Sequence, residues 1–240
     1  MGKKPTILLL WDIDGTLLLT GGIAGRLMVK SVEEEVGKSL PYTPHIFIGS
    51  TDRLIIRQLL ERVGYAGKDV EPVINRILSR YIRWLREALS GTGKVQVLPG
   101  VREILETTRV DKNFANALLT GNIRKGALIK LRAAGLVDLL PVGAYGDDDI
   151  NRNNLPPIAI KRAEAYYGRS FPPPRVWIIG DSPRDILCAR ANQIRVLAVA
   201  TGRPSLHELA KFQPDILVED LQDTELILNL IRQKTESDET

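Results

Sequence analysis

The chain has 240 residues, 44% of them hydrophobic, and 33 Lys+Arg against 29 Asp+Glu give a net charge of +4. That is enough chain for one large domain or two small ones with a substantial core, and no apolar run approaches the ~20 residues of a membrane span. A single cysteine, Cys188, excludes an internal disulfide and fits a reducing cytoplasm, while two distant histidines, His45 and His207, suggest no histidine-based metal cluster.

The opening MGKKPTILLLWDIDG does not read as a signal peptide, because its apolar run is short and ends in acid. Thr6 to Trp11 is instead a continuous apolar run with a β-branched start, as expected of a central parallel strand. Helices are predicted over 21–36, 52–63 and 70–89, each followed by a glycine or a glycine-rich turn. From residue 96 onward the pattern alternates. A helix opens at LPGVREILETT, then come the strand FANALLT and a helix over 122–134. Next are a short strand PVGAY, a helix over 157–167, the strand RVWIIG and a helix over 184–191. The strand RVLAVA, a short helix near Leu206, the strand DILVE, a helix over 221–232 and a solvated tail KTESDET complete the chain.

Alternating strands and helices imply βαβ units and a parallel sheet covered on both faces. The fold class is therefore α/β, a Rossmann-like parallel sheet core with an inserted helical cap domain. Residues 1–17 and 96–240 form the core and residues 18–95 the cap. The cap segment carries 12 basic and 8 acidic residues, and the remainder carries 21 of each, so the whole positive surplus sits in the cap. Such a surplus favours an anionic ligand. No basic run interleaved with aromatics suggests nucleic acid.

The strand ends carry the chemistry. The first ends in Asp-Ile-Asp-Gly-Thr, with Asp12, Asp14 and Thr16. The FANALLT strand ends in Thr120-Gly121-Asn122, and RVWIIG runs into Gly-Asp-Ser-Pro-Arg-Asp, with Asp181 and Asp185. Ligands bind at the carboxyl ends of strands in an open parallel sheet, so these clusters converge on one edge. Asp12, Asp14 and Asp181 then form an oxygen-rich pocket suited to Mg²⁺. Two unit charges ~4 Å apart repel by about 4 kcal/mol at an effective dielectric near ~20, so the carboxylates need a cation.

In this order, D-x-D-G-T, T-G-N and G-D-x-x-x-D, with a helical insert after the first strand, the sequence resembles the haloacid dehalogenase-like superfamily. The resemblance implies a phosphomonoesterase. Asp12 would be the nucleophile that becomes an aspartyl phosphate. Asp14 would be the general acid and base, its backbone carbonyl also binding Mg²⁺. Thr120, Gly121 and Asn122 would hold the phosphoryl group at the start of a helix, with Thr16 a further substrate contact. Asp181 would ligate Mg²⁺, with Asp185 a ligand or its support. The family places a lysine between the second and third motifs; here Arg152 stands at the matching position and is favoured over Lys161 as the cation that positions phosphate. Arginine offers bidentate pairing with a different geometry. In the cap, Arg53 of the loop Gly49 to Arg53 is a candidate substrate contact, and Asp52 reads as a helix N-cap.

The implied partner is a small phosphorylated metabolite, with no nucleic acid and no membrane, acting on a cytoplasmic monomer or homodimer. A phosphosugar mutase shares every core residue. A receiver-like phosphorylatable switch uses similar groups, but its acceptor follows a later strand and it lacks a cap. Cys188 reads as a core residue, as does Trp11.

Overall fold

The computed structural model describes residues 6–65, 67, 69–91 and 93–237. Its strands are β1 (Ile7–Trp11), β2 (Leu18–Leu19), β3 (Gln96–Val97), β4 (Phe114–Leu119), β5 (Gly143–Ala144), β6 (Val176–Gly180), β7 (Arg195–Val199) and β8 (Ile216–Val218). Its α-helices are α1 (Ile23–Val36), α2 (Asp52–Arg62), α3 (Glu71–Ala88), α4 (Val101–Val110), α5 (Arg124–Ala134), α6 (Leu155–Tyr167), α7 (Pro183–Ala191), α8 (Leu206–Ala210) and α9 (Thr224–Ser237). Six strands form one parallel sheet in the order β5-β4-β1-β6-β7-β8.

Strand β1 is apolar throughout because both its faces are covered. Ile7, Leu9 and Trp11 enter one core layer with Val101, Ile104 and Leu105 of α4, Leu131 of α5 and Ile227 of α9. Leu8 and Leu10 enter the other, with Leu155 and Ala159 of α6 and Ile186 of α7. This is the period of two expected of a strand, and each buried leucine contributes about 1.5–3 kcal/mol. The chain winds from β1 to β4 and β5 on one side, then returns to β6, β7 and β8 on the other. The switch in direction leaves a crevice at the carboxyl end of β1, where Asp12 begins.

Helices α1, α2 and α3 build a third apolar layer of their own around Val32, Ile56, Leu59, Ile74, Ile77 and Leu85. Ile123, just before α5, joins this layer, so the helical insert is seated on the core. Its entry and exit, β2 and β3, pair antiparallel with Leu18 opposite Val97. We propose the division between cap and core at this ribbon, with residues 18–95 as the cap. The ribbon itself is not legible from periodicity, since a two-residue strand has none. Two other expectations are corrected. Helix α5 starts at Arg124 rather than Asn122. Helix α9 runs through Ser237, so residues 234–237 of the expected solvated tail are helical, and residues 238–240 lie outside the described residues. No helix among the described residues is long and apolar enough to cross a membrane.

Candidate active site

Asp12 follows β1 directly and stays in register with it, its N–H donating to Ile179 O of β6 at 3.0 Å. The chain then turns tightly: the N–H groups of Leu17 and Leu18 both donate to Ile13 O. Gly15 sits in this turn at φ 89°, and a Cβ there would lie 2.3 Å from Asp181 Oδ2. Glycine is required at this position both by the turn and by the close approach of Asp181.

Three buried carboxylates, Asp12, Asp181 and Asp185, bring oxygen atoms within 4.8 Å of one another. Arg152 is buried against two of them but still lines the cavity, with Nη2 2.5 Å from Asp185 Oδ1 and 3.4 Å from Asp12 Oδ1. The other oxygen of Asp185 accepts from the Ser182 N–H at 3.0 Å and the Ser182 hydroxyl at 2.6 Å, closing a capping box on α7. Both oxygens of Asp185 are thus engaged, and its part is to hold Arg152 and the start of α7. Asp181 accepts from Thr16 Oγ1 at 3.1 Å, which places Thr16 in support of Asp181 and not toward a substrate.

Burial pushes the Asp12 carboxyl up to about 6, with Arg152 opposing and Asp185 and Asp14 adding to the rise. Burial, then the charges of Asp185 and Asp12, raise Asp181 well above the ordinary carboxylate range. One guanidinium therefore does not neutralise the cluster. An all-oxygen donor set with surplus negative charge fits a hard divalent cation, and Asp12, Asp181 and Asp185 are close enough to share one, with Asp12 and Asp181 the less committed to protein partners.

Asp14 stands apart from this group. Its side chain is 41% exposed and accepts from Lys130 Nζ at 2.6 Å and from Asn122 Nδ2 at 2.8 Å through one oxygen. Lys130 is only 3% exposed and also donates to Asn122 Oδ1 at 2.6 Å. Asn122 in turn donates to Thr120 Oγ1 at 2.9 Å. Asn122 and Gly121 face the central cavity, whereas Thr120 lies behind them.

The cap closes over this edge. Thr51 is the N-cap of α2, accepting from Leu54 N–H, and its hydroxyl donates to Ile150 O at 2.8 Å. Asp52, expected as the cap residue, is instead buried, with its N–H on Gly121 O at 2.8 Å and its Oδ2 accepting from Ile123 N–H at 2.9 Å. A Cβ at Gly121 would lie 2.1 Å from Ser50 O, so only glycine lets the cap loop approach this closely. The first N–H groups at α5 are consequently taken by protein carboxylates, Ile123 by Asp52 and Arg124 by Asp147, rather than left for phosphate.

Two expected contacts lie elsewhere. Arg53 turns to Glu71 at 2.7 Å and Asn75 at 2.9 Å, outside the cavity. Lys161 is exposed on α6 and also outside it. Among the lining residues with no counterpart in the sequence reading are Lys130, Thr201 and Arg203. Thr201 follows β7 and donates to Gly15 O at 2.6 Å, locking the turn that follows Asp12. Lys130 had a signal, since it shares the buried face of α5 with Ala127, Leu131 and Ala134. Cys188 is buried with its thiol pushed up to about 12, chiefly by desolvation, and is not a nucleophile.

The model of the haloacid dehalogenase-like hydrolase family matches residues 9–199. The chain belongs to this family. Two of its relatives are phosphoglycolate phosphatases. That of Synechococcus elongatus is 26% identical over 94% of this chain and 99% of its own length. That of Pseudomonas fluorescens is 23% identical over 92% of this chain and 79% of its own. A solved hydrolase structure from Pseudomonas syringae superposes with a TM-score of 0.71 at 22% identity, covering 93% of this chain and 98% of that one, which shows the shared fold.

Within this family member, Asp52 gives a pH test. Burial raises its carboxyl from 3.8 to about 7, opposed by Lys130 and the Ile123 N–H. The folded form therefore keeps a proton that the unfolded chain loses, and stability falls as pH rises from about 4 to about 7. Asp52→Asn copies the protonated form. Its gain in Tm over wild type is expected to grow between about pH 5 and about pH 8, reaching several degrees in thermal melts; a gain that shrinks with pH would show that Asp52 is ionised at little cost.

Proposed function

We propose that the chain hydrolyses small phosphomonoesters in a Mg²⁺-dependent reaction, with Asp12 as nucleophile and Asp14 as general acid and base. The observation that carries this reading is the division of labour among the carboxylates. Asp12 sits with Asp181 and Asp185, and with Arg152 against Asp12 and Asp185, while Asp14 is outside that group and exposed to the cavity.

Phosphomonoesters hydrolyse so slowly in water that enzymes reach accelerations of up to ~10²¹-fold, so nucleophile, charge and proton transfer must be supplied together. A carboxylate oxygen of Asp12 attacks phosphorus, and the bond from phosphorus to the leaving alcohol breaks. Asp14 donates its proton to the departing oxygen, then takes one from the water that attacks the aspartyl phosphate. Phosphate leaves and Asp12 is restored. Lys130 and Asn122 hold Asp14 at the cavity through this cycle. Arg152 fixes the Asp12 carboxylate and carries positive charge to the phosphoryl group, and Gly121 and Asn122 border it on the opposite side. Mg²⁺, held by Asp12 and Asp181 with the Asp14 carbonyl, supplies when bound the charge that lets an anionic nucleophile meet an anionic ester.

The test is phosphate release from a panel of phosphorylated metabolites. Release with Mg²⁺, its loss in EDTA and its return on adding Mg²⁺ back are the expected results. Undiminished release in EDTA, or none from any ester by folded, Mg²⁺-loaded protein, would contradict the reading.

A further inference from the structure

The central cavity, of about 380 Å³, has two unlike halves. The core half carries the carboxylates together with Lys130, Arg152 and Arg203. The cap half is lined by Met28, Tyr42, Phe47, Ile48, Ile55 and Tyr81, with Asp52 as its only charged residue among those described. Among the described residues, no lysine, arginine or histidine of the cap lines it, despite the cap's positive surplus. Four of those cations are used elsewhere: Arg53 and Arg57 pair with Glu71, and Arg76 and Arg80 with Glu35. In the core half, Lys130 is committed to Asp14 and Arg152 to Asp185 and Asp12. Arg203 is exposed at the rim.

The phosphoryl group belongs against the core half, so the leaving alcohol must lie in the cap half. There it meets aromatic and branched apolar surface and a carboxyl group, with no cation to receive a negative charge. Resting on the phosphatase reading above, we infer that the preferred substrate is the phosphomonoester of an uncharged alcohol with an apolar, ring-sized body, and not of a hydroxy acid. A carboxylate on the leaving group would be desolvated beside Asp52 with no side-chain cation of that half to pair with, only the start of α1 at Gly22 and the hydroxyls of Thr20 and Ser50. An apolar body instead gains from burial, since a pocket of this kind discriminates by about 10- to 200-fold for modest changes in apolar fit.

The experiment compares kcat/KM for benzyl phosphate and for phosphoglycolate, with acetyl phosphate as a probe of the core chemistry alone, in Mg²⁺ and against Asp12→Asn as background. The expected result is Asp12-dependent turnover of acetyl phosphate, and kcat/KM for benzyl phosphate at least about tenfold above that for phosphoglycolate. At about pH 8, where Asp52 is ionised, Asp52→Asn should narrow that ratio by improving phosphoglycolate. Turnover of acetyl phosphate with phosphoglycolate equal to or better than benzyl phosphate would overturn the inference and leave the phosphatase reading standing. Loss of that phosphoglycolate activity in Arg203→Ala would then identify the rim arginine as the carboxylate's partner. No Asp12-dependent turnover of acetyl phosphate would overturn the phosphatase reading, and the inference with it.

Discussion

Asp12→Asn is expected to lower phosphate release by at least about 10³-fold, the scale of losing a covalent nucleophile whose partners cannot replace it. The amide keeps the shape of the carboxylate at the end of β1 but has no charge to attack phosphorus or bind a metal. The loss should not come from unfolding. The metal-free fold raises the Asp12 carboxyl to about 6 because burial opposes its charge. Its raised value means that the folded state gives up stability as pH rises from about 4 to about 6. A neutral side chain avoids that loss, so Asp12→Asn without metal should melt no lower than wild type at about pH 8. The rise in Tm that Mg²⁺ is expected to give wild type should shrink in the variant, because binding to the folded state is what raises stability. Activity within a few-fold of wild type would remove Asp12 from the chemistry.

Arg152→Met has the second large effect, on stability and on rate together. Arg152 is enclosed between Asp185 and Asp12, and deleting one partner of a buried ion pair costs about 3–5 kcal/mol because the remaining charges are left uncompensated. Phosphate release should fall by at least about 10²-fold, as when one fixed donor to developing negative charge is lost. Arg152→Lys keeps a charge, and a single nitrogen, Nη2, makes both carboxylate contacts, so a lysine without the planar guanidinium should recover most of the stability and part of the rate. Denaturant melts and kcat/KM on the same preparations separate the two losses. If Arg152→Met keeps wild-type kcat/KM while Lys161→Met loses it, Lys161 is the positioning cation after all.

What the sequence shows and what it hides divide along physical lines. The sheet is legible because its strands are apolar runs that stop in acid or glycine, and a parallel sheet must deliver those stops to one edge. Asp12, Asp14, Asp181, Asp185 and the Thr120–Asn122 segment follow from that rule alone. Arg152 is legible only through the family resemblance, since the stretch around it is irregular and short of periodic signal. Residues set by contacts between distant segments are harder. Lys130 looks like its exposed neighbours Lys125 and Arg132 until α5 is rotated so that Ala127, Leu131 and Ala134 face inward. Asp52 sits where a capping residue belongs, but Thr51 caps the helix and frees Asp52 to reach Ile123. Arg53 has the right chemistry and the wrong direction, because Glu71 and Asn75 of α3 draw it away from the cavity. Thr201 and Arg203 follow a strand whose end carries no acid, so no motif marks them.

The central claim is that Asp12 becomes phosphorylated, and the direct measurement is of that bond. Asp14→Asn with Mg²⁺ and acetyl phosphate suits it, because acetate leaves without a general acid while water is no longer activated, so the intermediate accumulates. After acid quench and digestion, mass spectrometry should place one phosphoryl group on the peptide containing Asp12, absent in EDTA and in the Asp12→Asn, Asp14→Asn double variant. A phosphoryl group on another residue, or steady turnover with none on Asp12, would contradict the mechanism.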